Sequence, residues 1–265
     1  ALERARSLLL GLGALSAADS KVTITPHGTL LASLPAHPRL AHIIIKAASE
    51  GGSDDALEVA CAAVAVLEER DVLRGGAKEH GSDLRKRVRA MLERSPPDTA
   101  NVAAWRRAEK AMKELQRQAG RLAKSSSSDS KGDGDDDDAM SGLAAAFAAE
   151  ASKRASGTSI EDQVSACGAL LAGGFHDRIA QRQPGKENVF SLSNGRGASF
   201  FSASREPLSG EDYLVCLALD GGDKASARIQ LAVPLSLSDV RRSLRGSGAI
   251  IWRDETFLAP SDGSV

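Results

Sequence analysis

Tyr213-Leu214-Val215-Cys216-Leu217-Ala218-Leu219 is apolar at every position. An unbroken apolar run of this length, bounded by turn residues, reads as a central strand rather than an edge strand. Short strands are expected around it at Arg178–Arg182, Val189–Leu192, Ala198–Phe201, Arg228–Val233 and Ala249–Trp252. Asn194-Gly195 is a hairpin signal between the second and third of these. One helix falls near Leu237–Leu244. A series of short antiparallel strands with a single helix implies a small barrel or sandwich.

Upstream of Gly173-Gly174 the pattern is helical. A first helix places Leu2, Ala5, Leu8, Leu9 and Leu12 on one face, with Gly11 or Gly13 able to end it. Lys21-Val22-Thr23-Ile24 reads as a short strand. Thr25 then caps a short helix that Pro26 opens and Pro35 stops. Pro38 opens another helix that runs to Ser49, and Asp54 or Asp55 caps a helix bearing Leu57, Cys61, Val64 and Leu67. From Leu84 to Lys124 the chain is helical and basic, with twelve lysines and arginines against four carboxylates. Pro96-Pro97 divides this region, and Asp98 is the expected cap of its second helix. There Trp105, Ala108, Met112, Leu115, Ala119 and Leu122 form a narrow apolar seam. Ser125 to Asp138 is a serine-rich, then acidic, low-complexity stretch, read as a disordered linker rather than a calcium loop. Helices follow near Leu143–Arg154 and Ile160–Ala172, with Thr158 and Glu161 as a capping box.

The 265 residues are 42% hydrophobic and 3% aromatic, with a net charge of −1. The length suits two domains, and the charge leaves no global field towards nucleic acid or a membrane surface. Cys61, Cys167 and Cys216 are far apart without CxxC spacing, which fits buried thiols in a reducing compartment. No stretch reaches the roughly 18 apolar residues of a membrane helix. Leu8 to Ala18 imitates a signal peptide, but Glu3 spoils the positive flank. The chain is expected to be a fragment that starts inside a longer protein.

Chemistry-bearing motifs are absent. No GxxxxGK[ST] string cradles phosphates, no HExxH pair binds zinc and no GxSxG elbow presents a nucleophile. The five histidines have no ligand spacing. His37, between Ala36 and Pro38, reads as a packing or capping residue rather than a base. On its own residues this chain is not an enzyme, and no cofactor is expected in it.

Ile24-Thr25-Pro26-His27-Gly28-Thr29-Leu30-Leu31-Ala32-Ser33-Leu34-Pro35-Ala36-His37-Pro38-Arg39-Leu40 resembles the segment joining the winged-helix and ratchet domains of DEAH-box helicases. Gly11-Leu12-Gly13-Ala14-Leu15 and Leu67-Glu68-Glu69-Arg70-Asp71 match the same region. Phe175-His176-Asp177-Arg178-Ile179-Ala180, Leu192-Ser193-Asn194-Gly195-Arg196-Gly197-Ala198, Leu217-Ala218-Leu219-Asp220-Gly221 and Ile251-Trp252-Arg253-Asp254-Glu255 resemble the HrpB branch of that family. The resemblance implies an α+β chain, a winged-helix and ratchet bundle followed by a small OB-like antiparallel β-barrel. Residues 1–45 would end the winged helix and start the ratchet, 46–124 complete it, 125–141 link, and 142–265 form a helix plus the barrel. It also implies an ATP-hydrolysing cytoplasmic helicase, an organelle left open, that moves 3′ to 5′ along single-stranded RNA, with DNA left open. The RecA-like motor domains, holding ATP and Mg, would be partners in the same polypeptide, and no membrane is involved.

Arg106, Lys110 and Lys113, within the basic helices, are candidate phosphate contacts; a solubilising bundle face is the alternative. In the barrel the candidates are Arg178, Arg182, Asn194, Arg196 and Arg228. Arg178 and Arg182, four apart, would share a strand face. Asn194 to Gly197 is first a tight turn, and Arg196 on it would reach a phosphate. Phe200, Phe201 and Tyr213 are possible stacking rings, though core packing is favoured for each. The runner-up function is a protein-interaction module that docks a partner helix on the Trp105–Leu122 seam and binds protein through the barrel. The purified chain is expected to hydrolyse no ATP with or without RNA, because it lacks a phosphate-loop lysine and magnesium carboxylates; a coupled-enzyme assay that found RNA-stimulated turnover would overturn this reading.

Overall fold

Thr25 fixes the first turn of the chain. Its Oγ1 accepts from Gly28 N at 2.9 Å and donates to Gly13 O at 2.6 Å, while its N–H bonds Ala14 O. A computed structural model describes residues 2–18, 21–49, 54–128, 159–202, 206–221 and 226–243. Helix α1 (Leu2–Gly11) ends before Gly13, whose φ of 69° suits a left-handed helix stop. Strand β1 (Leu15–Ala18), not anticipated from the sequence, pairs antiparallel with β2 (Lys21–Ile24). Helices α2 (Pro26–Ala32), α3 (Pro38–Ser49) and α4 (Asp54–Glu68) follow as the punctuation implied, and α5 (Gly76–His80) was not foreseen.

Helix α6 (Leu84–Leu92) is capped by Asp83, and α7 (Val102–Ser128) starts later than expected. Asn101, not Asp98, meets the first turn, accepting from Ala104 N at 3.4 Å; the turn after Pro97 uses up the intervening residues. The last turn of α7 runs through Ser125 to Ser128, into the stretch read as linker; the rest of that stretch and the Leu143–Arg154 helix lie outside the described residues. Trp105, Ala108, Met112, Leu115 and Ala119 are buried on α7, which packs against α4. The expected 160–172 helix breaks at Ala166 into α8 (Ile160–Ser165) and α9 (Cys167–Ala172). Ser159 caps α8 through Asp162 N at 3.2 Å, one residue after the anticipated Thr158.

Strands β3 (Ile179–Arg182), β4 (Val189–Leu192), β5 (Gly197–Ser199), β6 (Tyr213–Asp220) and β7 (Ser226–Leu235) close into a barrel in the order β3-β4-β5-β7-β6. Helix α10 (Leu237–Ser243) follows. The expected Ala249–Trp252 strand lies outside the described residues. The barrel is mixed rather than antiparallel. An odd ring cannot alternate direction all the way round, and the exception is the parallel pair Gly197↔Ser226 to Ser199↔Arg228. The chain is therefore α+β, a helical bundle followed by a small closed barrel.

The apolar run on β6 has two jobs. Leu214 and Cys216 fill the barrel with Ala180, Phe190, Leu192, Phe200 and Ile229. Val215 and Leu217 face the other way, into a core shared with α3, α4, α6 and α7. Ile179, Val233 and Leu235 join them, so one continuous core runs from the bundle to the outer wall of the barrel. Two glycines permit the approach. A Cβ on Gly168 would sit 2.3 Å from Pro234 O, and one on Gly174 2.7 Å from Arg39 O. The three cysteines are buried and unpaired, their thiols pushed up to about 12 chiefly by burial. His27 Nε2 and His42 Nδ1 lie 2.9 Å apart; burial, then the neighbouring His27, Lys46 and His176, lowers His42 to about 3, so its ring stays neutral.

Arg87 is 0% exposed, yet each of its three guanidinium nitrogens is hydrogen-bonded. Its Nε and Nη2 grip Asp71, and its Nη1 donates to Gly81 O at 3.1 Å and Asp83 O at 3.0 Å. The turn so held is also bound by the barrel: Ser82 N donates to Glu206 Oε2 at 2.8 Å, and Ala232 N on β7 donates to Ser82 O at 2.8 Å. Replacing Arg87 with Met is expected to cost about 3–5 kcal/mol, because a carboxylate partner and two carbonyls are left without their donor. Urea unfolding followed by circular dichroism measures this; an unchanged midpoint would refute the role given to Arg87.

Candidate nucleic-acid interface

The first turn of α3 carries Arg39, which reaches across to the turn leading into β3. Its Nη1 donates to Asp177 Oδ1 at 2.5 Å and to Gly174 O at 2.8 Å, and its Nη2 to Asp177 Oδ2 at 2.8 Å. Burial raises the Asp177 carboxyl, but the Arg39 hydrogen bonds and charge outweigh it and leave the group below its ordinary value. The guanidinium carbons of Arg39 and Arg178 lie 5.3 and 5.6 Å from the centre of the buried Phe175 ring. His37 caps α3, its Nδ1 accepting from Arg39 N at 3.3 Å, which agrees with the capping reading.

Beside this latch opens a cleft of about 1390 Å³, between α1, the start of α3 and the barrel wall. Of the residues expected from sequence to bind, it gathers Arg178, Asn194 and Arg196. Asn194 shapes the hairpin: its Oδ1 accepts from Arg196 N at 3.1 Å, and Gly195 takes a φ of 83°. Arg196 is thereby set on the cleft rim. The cleft is not a basic funnel. Arg4, Arg39, Arg87, Arg178 and Arg196 are matched by Glu3, Glu69, Asp71, Asp177 and Asp220. It offers directional donors on an apolar floor, with no excess of positive charge.

Arg178 and Arg182 do not share a strand face. Arg178 ends the short 3-10 turn His176–Arg178, and its Nη1 donates to Leu217 O at 2.9 Å. Burial, then the charge of Arg39, lowers its pKa, as expected of a half-buried guanidinium tying β3 to β6. Arg182 turns instead to Asp212 Oδ1 at 2.6 Å, outside the cleft, and its Nε has no partner among the described residues. Arg228 sits on the outer face of β7, also away from the cleft.

Arg106, Lys110 and Lys113 are exposed on α7, and none lines the cleft. Lys113 Nζ donates to Glu109 at 2.6 Å, an i,i+4 pair, whereas Arg106 and Lys110 meet no carboxylate among the described residues. The seam on the opposite side of α7 is consumed by the chain's own core. The helix-docking half of the protein-interaction alternative therefore loses its surface. Of the possible stacking rings, Phe200 is core and Tyr213 half-buried, but Phe201 is 75% exposed. The expected Ala198–Phe201 strand stops at Ser199, but the alternation it implied still separates the two rings. Adjacent residues of an extended chain point to opposite faces, so two neighbouring phenylalanines do not both enter the barrel.

The strand order, the parallel closing pair and the hairpin-rich topology define an OB-type barrel, fused here to a helical bundle through one core. No family model matches the chain, and no curated protein sequence does. Solved structures do. The crystal structure of the Escherichia coli DExH-box NTPase HrpB is 24% identical with a TM-score of 0.57, over 91% of this chain and 22% of that one. A crystal structure of the Escherichia coli DEAH/RHA helicase HrpB is 23% identical with a TM-score of 0.56, over 89% and 22%. The likeness establishes a common fold, and the chain spans 22% of the length of those two proteins. Among the described residues no cluster of histidine, cysteine and carboxylate groups suits a metal, and no helix is long and apolar enough to cross a membrane.

Replacing Arg39 with Met should destabilise the chain by about 2 kcal/mol, since charged hydrogen bonds at a half-buried site are removed. Asp177→Asn should do so less. Because the folded state depresses the Asp177 carboxyl, its contribution is whole above about pH 4 and lost as pH falls through the lower folded value. The gap between wild type and Asp177→Asn in denaturant midpoint should therefore shrink on acidification, and a gap that widened would contradict the latch.

Proposed function

We propose that this chain is the nucleic-acid-binding accessory region of an ATP-dependent RNA helicase of the DEAH-box class. It holds single-stranded RNA beside RecA-like motor domains, which supply ATP and Mg. The observation that carries this reading is an OB-type barrel fixed rigidly on a helical bundle, an arrangement similar to that of proteins described as a DExH-box NTPase and a DEAH/RHA helicase. OB-type barrels take single strands on a groove of basic and aromatic side chains.

The two halves contribute differently. Arg106 and Lys110 on α7 give exposed charge without a fixed partner among the described residues, which suits phosphate attraction. Arg196, set by the Asn194-Gly195 turn, brings a guanidinium to the cleft. Arg39 shapes the cleft rather than attracting the strand, because its charge is paired with Asp177 and it also donates to Gly174 O, while Arg178 is half-buried and anchored by one bond to Leu217 O. The continuous core then keeps bundle and barrel at a fixed spacing, so a bound strand meets both together.

A fluorescence-anisotropy titration of single-stranded RNA at several salt concentrations tests this. Joint replacement of Arg106, Lys110 and Lys113 with alanine should weaken binding and reduce the log–log salt slope by about 0.7 for each phosphate that is no longer neutralised. Lys113 should contribute least, being paired with Glu109. Arg196→Ala should cost roughly 1–3 kcal/mol if it touches the strand directly. Folded variants that bind like the unaltered chain would end the single-strand reading.

A further inference from the structure

Strand β5 runs into two phenylalanines with opposite fates. Phe200 is 3% exposed and packs edge-on to Phe190 inside the barrel, ring centres 5.6 Å apart. Phe201 points outward and leaves three-quarters of its surface to solvent. An exposed aromatic at a strand end is commonplace when its backbone is loose. Here the backbone is held. Asn188 has a φ of 63°, and its side-chain amide donates through Nδ2 to Phe200 O and accepts at Oδ1 from Phe200 N, both at 3.0 Å. That double bond pattern adds one rung to the β4–β5 ladder beyond Val189↔Ser199.

The ring is also braced. Arg228 on β7, in register with Ser199, places its guanidinium carbon 4.8 Å from the Phe201 ring centre. A guanidinium over one face orders the ring and leaves the rest of it available for a flat partner. The charge alone does not make a phosphate site, because Asp220 is the cross-strand neighbour of Arg228 on β6. What remains to recognise a ligand is an ordered, open π-surface on the outside of the barrel, and the planar groups of a single strand are its bases.

We infer that Phe201, braced by Arg228 and positioned by Asn188, is a stacking platform for one unpaired base. This rests on the single-strand reading above. The platform is separate from the cleft, which it does not line, so it gives the strand a second point of attachment.

The test uses the full chain with an oligouridylate and an abasic ribose-phosphate oligomer of the same length and charge. Phe201→Leu keeps apolar bulk but removes the π-face, and should weaken oligouridylate binding about fivefold or more while leaving the abasic oligomer unaffected. Phe201→Trp should restore affinity, and its added indole fluorescence should be quenched by oligouridylate but not by the abasic oligomer. Equal binding of oligouridylate by Phe201→Leu and the unaltered chain, or equal weakening for both oligomers, would overturn the platform while the single-strand reading stands. Failure of the unaltered chain to bind either oligomer would overturn that reading and the platform with it.

Discussion

The fold depends on one buried guanidinium. Arg87 has no contact with water, and an ion there is tolerable only if its charge is paired and each of its nitrogens is hydrogen-bonded. The planar fork meets that demand as an ammonium could not: one edge faces the Asp71 carboxylate and the other the carbonyls of Gly81 and Asp83. The turn it tightens is the one that Glu206 and the backbone of β7 then grasp. A single side chain of the bundle thus sets where the barrel sits. The Arg39–Asp177 latch and the close approaches at Gly168 and Gly174 fix the same junction from its other side.

A rigid junction changes what the surface charges can do. The cleft beside the latch is electrically balanced, so its arginines act through direction and shape. The exposed cations of α7 act through charge without direction. A ligand that needs both must be long enough to lie along both, and must carry regularly spaced negative charge together with groups worth positioning. Under the proposed function a single-stranded nucleic acid would meet these requirements, whereas a small anion would bring charge without length.

Much of this architecture is legible in local sequence because it is punctuated. Thr25-Pro26 and Pro38 mark helix starts through side-chain and φ constraints that need no tertiary partner. The all-apolar β6 announces a central strand, and it lies between β3 and β7 with a helical bundle over one face and the barrel interior over the other. Asp98 and Thr158 are reasonable caps by residue type, and in each case a polar neighbour, Asn101 or Ser159, has the register that meets the first free N–H groups. Arg178 could not be assigned from spacing, because the strand begins one residue later and a 3-10 turn precedes it. The parallel β5–β7 pairing joins residues distant in the chain, and only the number of strands in a closed ring requires it. In sequence Arg87 is one more member of a basic stretch; nothing local separates a buried arginine from its solvated neighbours.

The shared core also has a temporal side. On the ribosome α3, α4 and α6 emerge well before β3, β6 and β7, at about 5–20 residues per second. For those seconds the apolar face that later receives Ile179, Val215 and Leu217 has nothing to cover it, and the carbonyl of Ser82 waits for an amide 150 positions further on, at Ala232. The nascent bundle is therefore a natural client for a holding chaperone, and synthesis that pauses between the two halves would lengthen the interval in which it is most exposed to wrong partners.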